Sequence, residues 1–279
     1  MELALTLILL AAMAGTIGVA HGRHRRVMRR LGRLEAANHE LLQLMKPLVA
    51  ARAGGEGEAV EFRSQFGEDL VLWHLFAGKR GGFFIEVGAY DGYTYSVTFA
   101  FEQAGWTGLL VEPLPARFEA CRDRRPRSRV VNAALSVRGS TGTATFHHIA
   151  SDKKHYEASS YLDAGTQRRR HMRPPKGNVQ TVTVPLTTMD NLLAEHAGPI
   201  DFVVLDVEGH ELSLLDGFDL DRFKPAVLMV EDQSMGRDPE LHDYLAKRGY
   251  EHVMWLSYNR VMIRRDRPEL LARARSLAQ

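Results

Sequence analysis

From about residue 60 onward, short apolar runs alternate with stretches of helical character. FFIEV (83–87), GLLVEP (108–113), RVVNAAL (129–135), VQTVTVPL (179–186), IDFVVLDVEG (200–209) and PAVLMVED (225–232) read as strands. Ala116–Arg124, Met189–His196, His210–Leu215 and Pro239–Arg248 read as the helices between them. Continuously apolar strands are buried on both faces, so the alternation predicts a doubly wound α/β domain with a mostly parallel sheet. EHVMWLSYNRVMIRR, residues 251–265, reads as two strands meeting at Tyr258 and Asn259, a closing antiparallel hairpin. The domain is expected over 60–267, with 268–279 as a C-terminal tail.

The first 55 or so residues follow another pattern. Leu3–Ala20 is an uncharged stretch of 18 residues, close to the roughly 17–20 needed to cross a bilayer core as a helix. Glu2 in place of Lys or Arg argues against a cleaved signal peptide, as do the six arginines between Arg23 and Arg33. The expectation is an uncleaved anchor over 1–22, with the arginine flank and the rest of the chain on the cytoplasmic side. Val27, Leu31, Leu34, Leu41, Met45 and Leu48 then recur at steps of four and three, with Asn38 interior. Over 23–50 this pattern permits either a short parallel coiled coil, hence a homodimer through 27–46, or a helix lying on anionic headgroups. Pro47 is expected to end any regular helix, and the Gly-rich 51–59 reads as a linker at the domain boundary.

Composition narrows the classes. The 279 residues are 45% hydrophobic and 25% charged, ordinary for a globular chain. One cysteine, Cys121, excludes an internal disulfide, and a net charge of +2 gives a nucleic-acid partner no support.

The candidate chemistry lies at strand ends. After FFIEV, Gly88 and Gly92 bracket Ala89, Tyr90 and Asp91, so the backbone can bend sharply and a ligand can approach without meeting a Cβ. The competing reading is a turn that needs glycine only for its dihedrals. Glu112 follows GLLV, 20 residues beyond Gly92, the offset of a carboxylate that accepts from ribose hydroxyls; Asp206 follows FVVL. A nicotinamide dinucleotide fold would share these features, but GAYDG lacks the GxGxxG turn that seats a pyrophosphate, so a nucleoside without phosphates fits better.

SQFGED (64–69), FFIEVGAYDGYT (83–94), WTGLLVEPLP (106–115), NAALS (132–136) and LDVEGHE (205–211), in this order, resemble the FkbM family of S-adenosylmethionine-dependent methyltransferases. The resemblance covers about Ser64 to Tyr250 and implies a seven-stranded Rossmann-like sheet. It departs from the family's acid-x-Gly-Ala-Asn-x-Gly at Tyr90, a change expected to be tolerated. It implies that Glu86, Gly88, Ala89, Asp91 and Gly92 form the cradle of the methionine portion and that Glu112 binds the ribose diol. Asn132 and Ala133 flank the adenine, Gln65 and Asp69 close the pocket, and Asp206 and Glu208 face the sulfonium and the acceptor. For the segment from Ser64 the plainer reading is an ordinary helix with Ser64 as N-cap and Asp69 solvated.

A hydroxyl acceptor needs its proton removed, for which Glu208 or His210, in the turn after a strand, is the general-base candidate; Asp206 beside them completes the catalytic candidates. Asp206, Glu208, Glu211, Glu231 and Asp232 are also a possible oxygen-ligand set for a divalent cation; the expectation is against an essential metal. Residues 147–178 form a basic insertion with His147, His148, Lys153, Lys154, His155 and RRRHMRPPK at 168–176, expected as a lid or loop for an anionic acceptor or lipid. Together these features point to a membrane-anchored O-methyltransferase acting on a sugar, glycan or lipid-linked glycan. The competing class is a cofactor-binding scaffold without catalysis.

Overall fold

A computed structural model of the chain describes residues 43–49, 60–150, 160–162 and 178–277. The expected anchor, most of the stalk, the 51–59 linker, and residues 151–159 and 163–177 of the insertion lie outside these. Among the described residues, no helix is long and apolar enough to cross a membrane.

The strands are β1 (Phe83–Val87), β2 (Thr107–Val111), β3 (Arg129–Val131), β4 (Ala134–Leu135), β5 (Thr143–Ala150), β6 (Ser160–Leu162), β7 (Asn178–Thr187), β8 (Phe202–Leu205), β9 (Val227–Glu231), β10 (Tyr250–Leu256) and β11 (Asn259–Arg264). The helices are α1 (Glu68–Leu75), α2 (Phe99–Gln103), α3 (Pro115–Arg124), α4 (Met189–Leu192), α5 (Glu211–Asp216), α6 (Leu220–Phe223), α7 (Glu240–Lys247) and α8 (Pro268–Leu277). A seven-stranded sheet runs β10-β11-β9-β8-β1-β2-β3. Its members from β3 through β9 are parallel, and β11 is antiparallel to both β9 and β10.

Strand alternation divides the core in two. Phe84, Leu110, Phe202, Val204 and Met229 face one layer, which holds Leu72 and Leu75 of α1 and Leu270 and Leu271 of α8. Ile85, Val87, Leu109, Val203, Leu205 and Leu228 face the other, against Leu214 and Leu215 of α5 and Leu241 and Leu245 of α7. Each such fully buried side chain stabilises the fold by roughly 1.5–3 kcal/mol. Gly108 is required by this packing, because a Cβ there would stand 2.2 Å from the Phe84 ring.

Five expectations are corrected. VQTVTVPL is no member of the parallel sheet: β7 belongs to a second, four-stranded sheet, β4-β7-β5-β6, where it pairs antiparallel with β5 along its length. RVVNAAL is not one strand, since the chain leaves the main sheet after Val131 and enters the second at Ala134, turning at Asn132 and Ala133. Residues 147–150, 160–162 and 178 of the insertion are strand in that same sheet. The expected tail is a docked helix, α8, that buries Leu270, Leu271, Ala274 and Leu277, and Arg273 donates to the Leu75 carbonyl at 2.7 Å. Finally, residues 43–49 are helical through Pro47, and Met45, expected in a dimer seam, instead packs into the core of its own domain.

Candidate active site

The parallel strands β1, β2 and β8 end side by side, and a cavity of about 170 Å³ opens over their C-terminal ends. This is the crevice where an open α/β sheet receives its ligand. Gly88 carries the first contact. Its φ is +84°, and a Cβ there would lie 2.1 Å from the Asp206 carbonyl, so only glycine lets the tips of β1 and β8 come together. The N–H groups of Gly88 and Ala89 both donate to the Val111 carbonyl, at 3.0 and 3.2 Å, which closes the tip of β2 onto the same turn.

Tyr90 has a φ of 52°, a left-handed conformation costly for an aromatic residue and better suited to asparagine. Two contacts offset that cost. The Tyr90 N–H donates to a Glu112 carboxylate oxygen at 2.9 Å, and the Arg117 guanidinium lies over the ring at 4.3 Å from its centroid. The other Glu112 oxygen accepts from the Leu114 N–H at 2.9 Å. Burial pushes the Glu112 carboxyl up to about 7, against the pull of these N–H groups and of Arg117.

Glu86 lines the cavity, but its carboxylate is committed to the following loop. It accepts from the Val97 N–H at 2.8 Å, Ser96 Oγ at 2.9 Å and Thr98 Oγ1 at 2.5 Å. Behind it stands Arg125, fully buried, whose guanidinium reaches Glu102 at 2.8 Å, the Gly92 and Thr98 carbonyls, Ser96 Oγ and Thr98 Oγ1. A guanidinium's rigid fork of donors suits this role. Glu86 and Arg125 thus hold segment 92–98, from which Thr94, Tyr95, Ser96 and Val97 face the cavity.

At the β8 end, Asp206, Glu208 and His210 line the cavity. Glu208 (φ 55°) and Gly209 (φ 91°) form a left-handed turn, and Glu211 Oε1 accepts from the Gly209 N–H at 3.0 Å and the Val207 N–H at 3.4 Å. Gln233 Nε2 donates to Glu208 at 2.9 Å and to Glu231 at 3.3 Å. Asp206 is exposed and borders the cavity. Crowding by the surrounding protein raises its carboxyl despite that exposure, the neighbouring Glu231 opposes the rise, and the Glu86 charge adds to it. Burial and the Asp206 charge place Glu231 well above its ordinary range, and burial pushes Glu211 up to about 7. Among the described residues no three His, Cys, Asp or Glu side chains stand in an arrangement that would hold a metal ion.

Of the residues singled out from sequence, Gln65, Glu86, Gly88, Ala89, Glu112, Ala133, Asp206, Glu208 and His210 meet at one cavity. Asp69, Asp91, Gly92 and Asn132 do not. Asp69 is fully buried against Ser64, which is therefore no N-cap; Gly67 takes that place. Asp91 accepts from the Tyr93 and Thr94 N–H groups and pairs with Arg124 at 2.5 Å; although partial burial works the other way, these contacts hold its carboxyl below the usual range. Gly92 packs on Cys121 and Arg125. Asn132 donates to the Glu112 and Pro113 carbonyls at 2.9 and 2.8 Å and so pins the turn that presents Ala133. The residues missed include Thr94–Val97, Arg117, Leu135 and Phe146; of these Arg117, one turn into a helix whose N-terminus follows Glu112, left a positional signal in the sequence.

The strand order, with one antiparallel member between two others at its far edge, and a glycine cradle flanked by carboxylates at the β2 and β8 tips define a class I methyltransferase domain. A family model for the methyltransferase FkbM domain matches residues 86–252, and the chain belongs to that family of S-adenosylmethionine-dependent methyltransferases. Solved structures similar to it include a TehB-like S-adenosylmethionine-dependent methyltransferase from Corynebacterium glutamicum (14% identity, 82% of this chain and 97% of that one, TM-score 0.39). Others are the C-terminal domain of precorrin-6Y C5,15-methyltransferase from Rhodobacter capsulatus (13% identity, 76% and 91%, TM-score 0.37) and an S-adenosylhomocysteine-bound Podospora anserina methyltransferase (10% identity, 88% and 98%, TM-score 0.37). Likenesses this distant add nothing to the fold argument, which rests on strand order and the family match. No match was found among curated proteins.

Proposed function

We propose that the protein is an O-methyltransferase that removes the acceptor's hydroxyl proton with Asp206. The observation that carries this reading is the Asp206 carboxyl, exposed just past the end of β8 in the same cavity as Glu112. The cavity suits S-adenosylmethionine: backbone without Cβ at Gly88, a carboxylate with accepting capacity left at Glu112, and apolar Ala133, Leu135 and Phe146 beside it. When bound, the cofactor supplies an electrophilic methyl group.

Glu112 accepts from the ribose hydroxyls. Backbone at Gly88 and Ala89 supports the methionine portion, and Tyr95 and Val97 exclude water. Asp206 takes the hydroxyl proton on a carboxylate oxygen, and its raised pKa makes it a stronger base than an ordinary aspartate.

The acceptor is proposed as a sugar hydroxyl on a glycan or lipid-linked glycan, on the cytoplasmic face of a membrane that anchors the chain through residues 3–20. Supporting this are the uncharged run, the arginines that follow it and the basic stretch at 168–176. The test supplies methyl-labelled cofactor to membranes containing the full-length chain and reads the labelled product by mass spectrometry after acid hydrolysis. O-methyl monosaccharide is expected, with a loss in kcat of about 10²-fold or more in Asp206→Asn. Label confined to nitrogen, or an undiminished Asp206→Asn, would sink the reading.

A further inference from the structure

Ser64 sits between two buried charges. Its N–H and Oγ donate to the Asp69 carboxylate at 2.8 and 2.5 Å, and its carbonyl accepts from the Lys46 ammonium. Asp69 is 0% exposed, Ser64 1% and Lys46 5%, so a lysine from the helical segment 43–49 penetrates the catalytic core. Met45 enters beside it, and Val49 packs against the same cluster. Lysine is almost never buried without a partner, because an unmet ammonium in an apolar interior is prohibitively costly. Here the Ser64 carbonyl meets it, and the Asp69 charge acts on it through Ser64's side of the site. Asp69 in turn is raised by burial, with the Lys46 charge acting against the rise.

Ser64 is also a point of attachment for the cavity wall. It forms an isolated parallel bridge with Tyr95, and both Tyr95 and the next residue, Gln65, line the cavity.

We propose that Lys46 is a positioning residue for the cofactor: by clamping Ser64 over Asp69 it fixes Gln65 and Tyr95 on the cavity wall. The cofactor-binding unit then begins before residue 60 and includes part of the stretch that the sequence reads as a stalk. This rests on the reading of the cavity as the S-adenosylmethionine site.

The test titrates the full chain with S-adenosylhomocysteine in a calorimeter, with a thermal melt of each variant: wild type, Glu112→Ala, Lys46→Met, Asp69→Asn, and the double variant Lys46→Met/Asp69→Asn. Lys46→Met is expected to weaken binding about tenfold or more, since Asp69 is left buried without its counter-charge and Ser64 shifts. Adding Asp69→Asn removes that charge while keeping an acceptor for Ser64, so the melt should recover, but the hold on the Ser64 carbonyl stays lost and binding should stay weak. A Lys46→Met chain that melts lower but binds as wild type makes Lys46 a fold contact only and overturns the proposal. Should Lys46→Met not fold, the double variant decides: a folded chain that binds about tenfold or more weaker than wild type supports the clamp, and binding within about threefold of wild type overturns it. Wild type that binds and Glu112→Ala that does not, with Lys46→Met unchanged, would leave the site standing and remove only this inference. A folded wild type that does not bind would remove both.

Discussion

Arg125 shows how much of a binding site is built by residues that never reach it. Its side chain is 0% exposed and joins Glu102 and Glu86 to the carbonyls and hydroxyls of segment 92–98. Taking away one member of a buried, hydrogen-bonded charge group leaves the others uncompensated, so Arg125→Met should lower unfolding free energy by about 3–5 kcal/mol. Urea denaturation would measure this, and a loss under about 1 kcal/mol would mean that the carboxylates find other partners. Carboxylates at strand ends were legible in the sequence because position relative to an apolar run is a one-dimensional property. Their duties were not. Glu86 and Glu112 look alike in the chain, yet one holds a loop and the other faces the cavity, and only the fold brings Ser96, Thr98 and Arg125 to the first. Asp69 and Asp91 were misread for the same reason, since a carboxylate's partners are set by packing.

Among elements, the tips of β1 and β8 are the decisive contact. Gly88 and Gly139 have nearly equal positive φ, +84° and +81°, but a Cβ at Gly139 meets nothing within 4 Å and one at Gly88 meets the Asp206 carbonyl. Gly139→Ala should therefore cost only the left-handed strain, about 1–2 kcal/mol, and leave S-adenosylhomocysteine affinity unchanged. Gly88→Ala adds the collision and should abolish measurable binding; calorimetry on the pair separates backbone strain from strand contact. Equal affinities in the two variants would show that the tips can part freely. The strands of the parallel sheet were legible because their apolar runs end at polar or glycine positions, and the hairpin was legible from the break at Tyr258 and Asn259. The place of β7 was not, because VQTVTVPL alternates in the same way whichever sheet it joins. The bend at Asn132 and Ala133 was equally hidden, because its cause, Asn132 reaching back to the Glu112 and Pro113 carbonyls, is a contact across 20 residues of sequence. The helix through Pro47 was misjudged from a local rule that docking of Met45 and Lys46 overrides.

Across the whole molecule, buried acids set the pH response. Burial lifts Glu68 to about 6 and Glu112 and Glu211 to about 7, from an ordinary value of 4.5. Between about 4.5 and 7 the folded chain keeps protons that the unfolded chain has released, so these groups make stability fall as pH rises through that window. His252, lowered to about 4 by burial and then by Arg260, works in the opposite sense between about 4 and 6.5; His74, lowered by burial and then by the Arg273 charge, also works in that opposite sense. The acids outnumber the histidines, and the cofactor-free full chain should melt at a higher temperature near about pH 5.5 than near about pH 7.5. A melting temperature that climbs steadily over that range would show that the acids ionise without penalty.

Cys121, the chain's one cysteine, is fully buried, and its Sγ lies only 2.8 Å from where a Cβ on Gly92 would stand. Burial, followed by the neighbouring Glu86 charge, pushes its thiol up to about 12, so the folded chain offers an alkylating reagent almost no thiolate. Modification must wait until α3 and the glycine turn separate, which makes the rate of alkylation a clock for that opening. Mass spectrometry should find the clock slowed by S-adenosylhomocysteine, and an undiminished rate would mean that ligand and turn move independently. The chain thus carries its own label at the hinge of its cofactor cradle, with no engineered probe required.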